Sequence, residues 1–191
     1  MDNLTRNAQV LRYLLQVAPG IGPHRLAQFA YLADVEARRY LGRPISVLEY
    51  VFTPRGPFDA SGFAGAMKEL EALGLVRENQ IPCGSYSASE LLPTNTPVEF
   101  TFSAAEAEVL RYVATTFLSG SARELSDDII YGTEPMVDAE PGKPLPMDRA
   151  NGVPGADLTF SLERMLRGEA SASAGRTRPW VQARDEFRAA S

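Results

Sequence analysis

Asp34, Arg38, Arg39, Arg43 and Arg55 are the side chains whose types and spacing most invite a chemical reading. Asp34 and Arg38 stand four residues apart in "YLADVEARRYLGRPI", residues 31–45. On a helix surface that spacing predicts a local ion pair worth a few tenths of a kcal/mol. Arg39, Arg43 and Arg55 are expected along the same edge, because Gly42 and Gly56-Pro57 bracket the intervening segment. An edge of guanidinium groups suits an acidic partner or an anion, since each planar fork can donate paired hydrogen bonds to a carboxylate. The same rim also reads as an ordinary solvated face, because exposed charges mostly serve solubility. The candidate partner-binding residues are therefore Arg38, Arg39, Arg43 and Arg55, together with Trp180, a lone aromatic in a polar C-terminal stretch.

The inventory for catalysis is poor. His24 is the single histidine, which excludes a two-histidine metal site. It follows Pro23 in the first turn of a predicted helix, where a solvated polar residue is expected, and no nearby serine or cysteine offers it a nucleophile to activate. Cys83 stands in the turn "PCGS" with no sequence cue to a lowered pKa. "GIG" at 20–22 follows no strand and lacks the lysine of a phosphate loop. Asp127-Asp128 suits a cation or a solvated helix end equally. The expectation is a protein without catalytic residues, metal or cofactor, and so not an enzyme.

Composition sets the frame for these residues. The chain has 191 residues, 45% hydrophobic and 23% charged, which fits one domain plus an appendage. The net charge of −5 counts against nucleic acid as the main partner, since phosphate binding usually needs a basic face. One cysteine forbids an internal disulfide and suits a reducing, cytoplasmic setting. The N-terminus opens acidic with spaced apolar residues, which does not read as a signal peptide. No apolar run approaches the ~20 residues of a membrane span.

The elements that must position the rim follow from periodicity. Val10, Leu11, Leu14, Leu15 and Val17 predict a helix over 4–17. Pro23 opens a second helix, roughly 28 Å long, with Leu26, Phe29, Ala30, Ala33, Ala37, Tyr40 and Leu41 on its apolar face. Gly42 stops it and Pro44 prevents its continuation. Residues 46–53, "SVLEYVFT", predict a strand with Leu48, Tyr50 and Phe52 on one face, closed by "PRGPF". A third helix from about Ser61 buries Phe63, Ala66, Met67, Leu70 and Leu73 and stops at Gly74. Leu75-Val76 start a short strand, 80–97 reads as a long polar loop with three prolines, and "PVEFTF" returns as a strand to 102. Ser103 to Glu106 is a capping box opening a fourth helix, and Ser121 to Glu124 repeats the signal for a short fifth one. Residues 132–157 are expected to be irregular, 157–167 a short amphipathic helix, and the remainder to 191 a flexible arm.

The order helix, helix, strand, helix, "ELEALGLV", loop, strand resembles a winged helix, in which the helix before the hairpin usually enters a DNA groove. Here that helix presents Lys68 against Glu69 and Glu71, and carboxylates beside phosphates repel. A more specific resemblance lies in "YLADVE", "GRPIS", Tyr50 followed by Gly56-Pro57, and "LEALGLV", with "FSAAEAEVLRYVATTFLSGSARELSD" at 102–127. In order and spacing these are similar to the Panacea, or SocA-like, antitoxin domain over residues 25–147. Tyr31, Asp34, Gly42, Arg43, Pro44, Gly56 and Pro57 carry the resemblance. One stretch departs from the family pattern: Asp128 stands near an expected histidine and Met136 at an expected tryptophan.

The resemblance implies an antitoxin of a bacterial or phage toxin–antitoxin system. It would neutralise a cognate toxin, encoded by an adjacent gene, by direct contact, with a second route in which the toxin is delivered to a Clp-type protease. A DNA-binding regulator is the third reading. The expected architecture is α+β, mostly α, with a helical domain and small antiparallel sheet over 1–147 and a C-terminal extension over 148–191 that helps select the partner.

Overall fold

Helix α2, Pro23–Leu41, is the axis around which the other elements pack, and every residue from Leu26 to Ala37 along it is buried. The computed structural model describes residues 4–84, 86–119 and 121–152. The expected arm, including the helix at 157–167 and Trp180, lies outside them. Helix α1, Arg6–Val17, helix α3, Ala60–Ala72, and helix α4, Ala104–Thr116, complete the helical body. Both α1 and α4 pack on α2, and α3 packs on α1. Ala27, Ala30, Ala33 and Ala37 on α2 are all buried; their small side chains favour the helix and let neighbours approach from several sides. The architecture is α+β and mostly α, as expected.

Local chemistry explains where the helices begin and end. The Thr5 side chain accepts from the Ala8 N–H at the start of α1, and the Asp59 side chain accepts from the Gly62 N–H at the start of α3. Ser103 and Glu106 form the expected reciprocal capping box on α4. Ser121 and Glu124 exchange the same pair of bonds. They open the short helix α5, Ala122–Glu124, which widens into a π turn at Leu125–Ile129. Gly42 takes φ +69° after α2 and its N–H donates to the Arg38 carbonyl at 3.2 Å. Leu73 departs from the expected apolar stripe of α3: it lies at the helix end and is exposed.

The strands differ from expectation in an instructive way. Only Val51–Thr53 of the stretch 46–53 forms a strand, β1, and it pairs antiparallel with β2, Gly56–Phe58. The expected terminator "PRGPF" thus supplies the partner strand: Pro57 faces Phe52 across the ladder. The other edge of β1 is covered by residues 142–145. Phe52 N–H donates to Lys143, Gly142 N–H to Phe52, and Leu145 N–H to Tyr50, at 2.7–3.0 Å.

Residues 45–49 form no ladder, because their amide groups are already taken by side chains. Ile45 and Ser46 N–H donate to Asp34, Val47 N–H to Asn7, Leu48 N–H to the Ser46 hydroxyl and Glu49 N–H to Asp59. Each of these backbone donors is satisfied without a neighbouring strand.

The expected loop at 80–97 is instead mostly hairpin. Strand β3, Val76–Cys83, pairs along its length with β4, Tyr86–Pro93. Its arms show no apolar alternation because β3 is exposed from Arg77 to Pro82. Prolines are tolerated there because a two-stranded ribbon has two free edges. The hairpin is rooted at Leu91, which exchanges backbone bonds with Gly20 and Ile21. The expected strand over 97–102 is extended but unladdered: Gln9 accepts from the Thr101 N–H at 2.9 Å, and the stacked Phe100 and Phe102 rings meet Tyr13 edge-on. The packed body continues to a 3₁₀ turn at Met147–Ala150, with Ala150 fully buried, three residues past the expected boundary at 147.

Nothing lies within 4 Å of a Cβ placed on Gly42, so its left-handed backbone is the whole reason for glycine there. Gly42→Ala is expected to cost about 1–2 kcal/mol and Gly42→Asn less. Urea midpoints at unchanged slope measure both.

Candidate functional site

Asp34 is 1% exposed and faces the extended stretch that follows α2. One carboxylate oxygen accepts the Ile45 and Ser46 N–H groups, each at 2.8 Å. The other accepts the Tyr50 hydroxyl at 2.8 Å and the Ser46 hydroxyl. The expected Asp34–Arg38 surface pair is therefore absent. Sequence spacing places the two residues side by side but does not say that the carboxylate side is buried, where backbone donors claim it first. Burial pushes the Asp34 pKa above the usual carboxylate range, against the pull of its four donors. Burial, then the adjacent carboxylate, also raise the Tyr50 hydroxyl. Tyr31 stands edge-on to Tyr50 with ring centroids 5.2 Å apart and bonds Thr133 at 2.7 Å.

The arginines do not form one edge. Arg39 is half-buried and holds Glu36 at 2.6 Å and Glu134 at 2.7 Å. Arg43 reaches Glu106 at 2.8 Å, and Arg6 reaches the same oxygen at 2.6 Å. Burial opposes the charge on Glu106, but the Ser103 N–H and the two guanidinium groups outweigh it and hold its pKa below the ordinary range. Arg55 lies in the turn between β1 and β2, beside His24 in the first turn of α2. From His24 to Arg39 the helix climbs roughly 22 Å, so Arg55 is at the opposite end of α2 from Arg39 and Arg43. Arg38 makes no ion pair among the described residues. It lines a recess of about 280 Å³ with Pro44, Val47 and Met147, over the Asp34 hub.

The remaining motif residues are structural. Gly56 takes φ +101° in the β1–β2 turn and is buried with Pro57. Met136 is buried in the core, and its flexible thioether side chain suits an irregular gap. Asp128 is exposed, and Asp127 pairs loosely with Arg123 at 3.3 Å. Cys83 is a partly buried free thiol at the end of β3. Among the described residues no group of three or more histidine, cysteine or acidic side chains converges as a metal site.

His24 is exposed, as its position predicts, at the rim of a second recess. It lines this recess, of about 200 Å³, together with Arg55 and an apolar wall that includes Phe58 and Phe63. Burial, and then the charge of Arg55, hold its pKa below the usual histidine range. The sequence signals for this site are thin, because Arg55 meets His24 only through the β1–β2 hairpin, where the sequence predicts a strand and its stop. Among the described residues no helix is long and apolar enough to cross a membrane. Comparison with protein-family models, curated proteins and solved structures found no match to this chain.

Asp34→Ala is expected to cost on the order of 3 kcal/mol or more, since it leaves two buried amides and two hydroxyls without an acceptor. Asp34→Asn should cost much less, because its amide can donate to the two hydroxyl oxygens while its carbonyl keeps the two N–H groups. Chemical denaturation separates the two outcomes. Charge reversal also distinguishes the arginines. Arg39→Glu faces two carboxylates in a half-buried site and should lower the melting temperature by several degrees, whereas Arg55→Glu should leave it nearly unchanged.

Proposed function

We propose that this chain is an antitoxin of the Panacea, SocA-like kind, which binds and neutralises a cognate protein toxin and performs no reaction of its own. The observation that carries the reading is the way most of the residues of the resemblance interlock. Asp34 gathers Ile45, Ser46 and Tyr50, Tyr31 stands edge-on to Tyr50, and Gly42 supplies the turn that, through Pro44, brings Ile45 to the carboxylate. Residues sharing one buried hydrogen-bond hub cannot be exchanged one at a time without cost. That the resemblance includes most of these interlocking residues supports reading it as a common scaffold.

The chemistry favours binding over catalysis. Both oxygens of Asp34 are engaged by the bonds that hold 45–50 in place, so using it as an acid or base would dismantle the scaffold. The DNA reading is weakened by α3, whose Glu69 accepts from Thr5 while Glu71 is exposed beside Lys68. Delivery of the toxin to a Clp-type protease is the alternative within the same class.

The test is to express the protein encoded by the adjacent gene alone and then with this chain. Growth arrest by the neighbour and its rescue on co-expression, with the two proteins co-purifying, is the expected result. A harmless neighbour, or a toxic one that is not rescued, would falsify the antitoxin reading. Rescue that disappears in cells lacking the Clp-type protease would replace blocking by delivery.

A further inference from the structure

The recess at the start of α2 has a chemistry that the Asp34 scaffold does not use. Ala27, Pro57, Phe58 and Phe63 give it apolar walls, and the Phe58 and Phe63 rings stand 5.5 Å apart. His24 and Arg55 are its titratable groups, and among the described residues no carboxylate lines it, in a chain whose net charge is −5. Neither the His24 ring nor the Arg55 guanidinium has a hydrogen bond or ion pair among the described residues. The other polar side chains are committed elsewhere. Thr53 donates to the Gly56 carbonyl at 2.8 Å and accepts the Arg55 N–H at 3.2 Å, while the Gln28 amide donates to Ser126 at 2.7 Å. The groups left to meet a ligand are thus two cationic or potentially cationic side chains above an aromatic pocket.

Size narrows the ligand. The recess measures about 200 Å³; a cavity of roughly 150 Å³ holds one benzene ring, and pockets for drug-sized ligands start near 300 Å³. One ring-sized side chain fits and a nucleotide does not. The occupant must bring its apolar group and its negative charge on the same residue. An internal aspartate or glutamate brings the charge without the ring, whereas a C-terminal aromatic residue brings both. Pro23 and His24 also place the positive end of the α2 dipole at this wall, which favours a carboxylate.

We propose that this recess captures the C-terminal residue of a partner protein, seating an aromatic side chain against Phe58 and Phe63 and its terminal carboxylate between Arg55 and His24. The inference rests on the antitoxin reading only for the identity of that partner, the toxin.

The single histidine makes a clean probe. On the full chain, N-acetyl-phenylalanine should shift the His24 ring resonances saturably and raise the His24 pKa, since a neighbouring carboxylate favours the imidazolium form. N-acetyl-phenylalanine amide should bind at least tenfold more weakly. Arg55→Gln should weaken binding of the acid about tenfold or more without moving the melting temperature. Equal affinity for acid and amide, or no saturable shift at all, overturns the pocket. Removal of the last residue of a neutralised toxin should weaken its capture by the same order. Neutralisation that is indifferent both to that deletion and to Arg55→Gln overturns the pocket while leaving the antitoxin reading intact. Probe binding in a chain that rescues no neighbour does the reverse.

Discussion

The buried carboxylate of Asp34 is the constraint on which the region after α2 depends. It sits on the central helix, out of water, and a carboxylate there is tolerable only if its lone pairs are filled. The chain fills them by turning sharply at Gly42, so that Ile45, Ser46 and Tyr50 can bring four donors back to it. The turn, the extended segment and the position of Tyr50 are consequences of one requirement. So is the lack of a ladder at 45–49, since amides spent on side chains cannot also build a sheet.

The same device recurs around the molecule. Gln9 on α1 takes the Thr101 amide, Arg12 donates to the Thr94 carbonyl at 2.9 Å, and Arg25 donates to the Phe117 carbonyl at 2.6 Å. Polar side chains on α1 and α2 thereby fix the irregular segments that pass over them. The sheets contribute little to this, since they comprise two separate two-stranded ribbons. A fold built this way has its specificity in helix-borne polar groups, each of which must find one particular backbone atom.

That construction explains what could be read from the sequence and what could not. The helices were legible because apolar spacing, capping boxes and glycine stops are local signals, as Ser103–Glu106 and Gly42 illustrate. The strands were not. "SVLEYVFT" has β-forming residues, but its first amides belong to Asp34, Asn7 and Asp59, partners 10 to 40 residues away in sequence. The β3–β4 hairpin has no apolar alternation to reveal it, because its arms are mostly exposed. The same long-range capture misled the reading of the charged rim. Arg39 looks like surface until Glu134, distant in sequence, arrives to pair with it, whereas Arg43 stays exposed while it reaches Glu106.

Those pairings separate the residues held by contacts within the body from those that are not. Of the motif residues, Tyr31, Asp34 and Pro57 are buried in the body, and Arg43 is drawn onto Glu106. A partner that bound them would have to compete with contacts the fold already uses. Arg55 is under no such demand: it is exposed in a hairpin turn, and its neighbour His24 is exposed as well. Ion pairs hold Arg39 and Arg43 at one end of α2, where Arg38 has none among the described residues, and Arg55 stands over an aromatic recess at the other end. The Asp34 hub and the recess share no residue, so side chains lining the recess can change without disturbing the bonds that hold residues 45–50 in place.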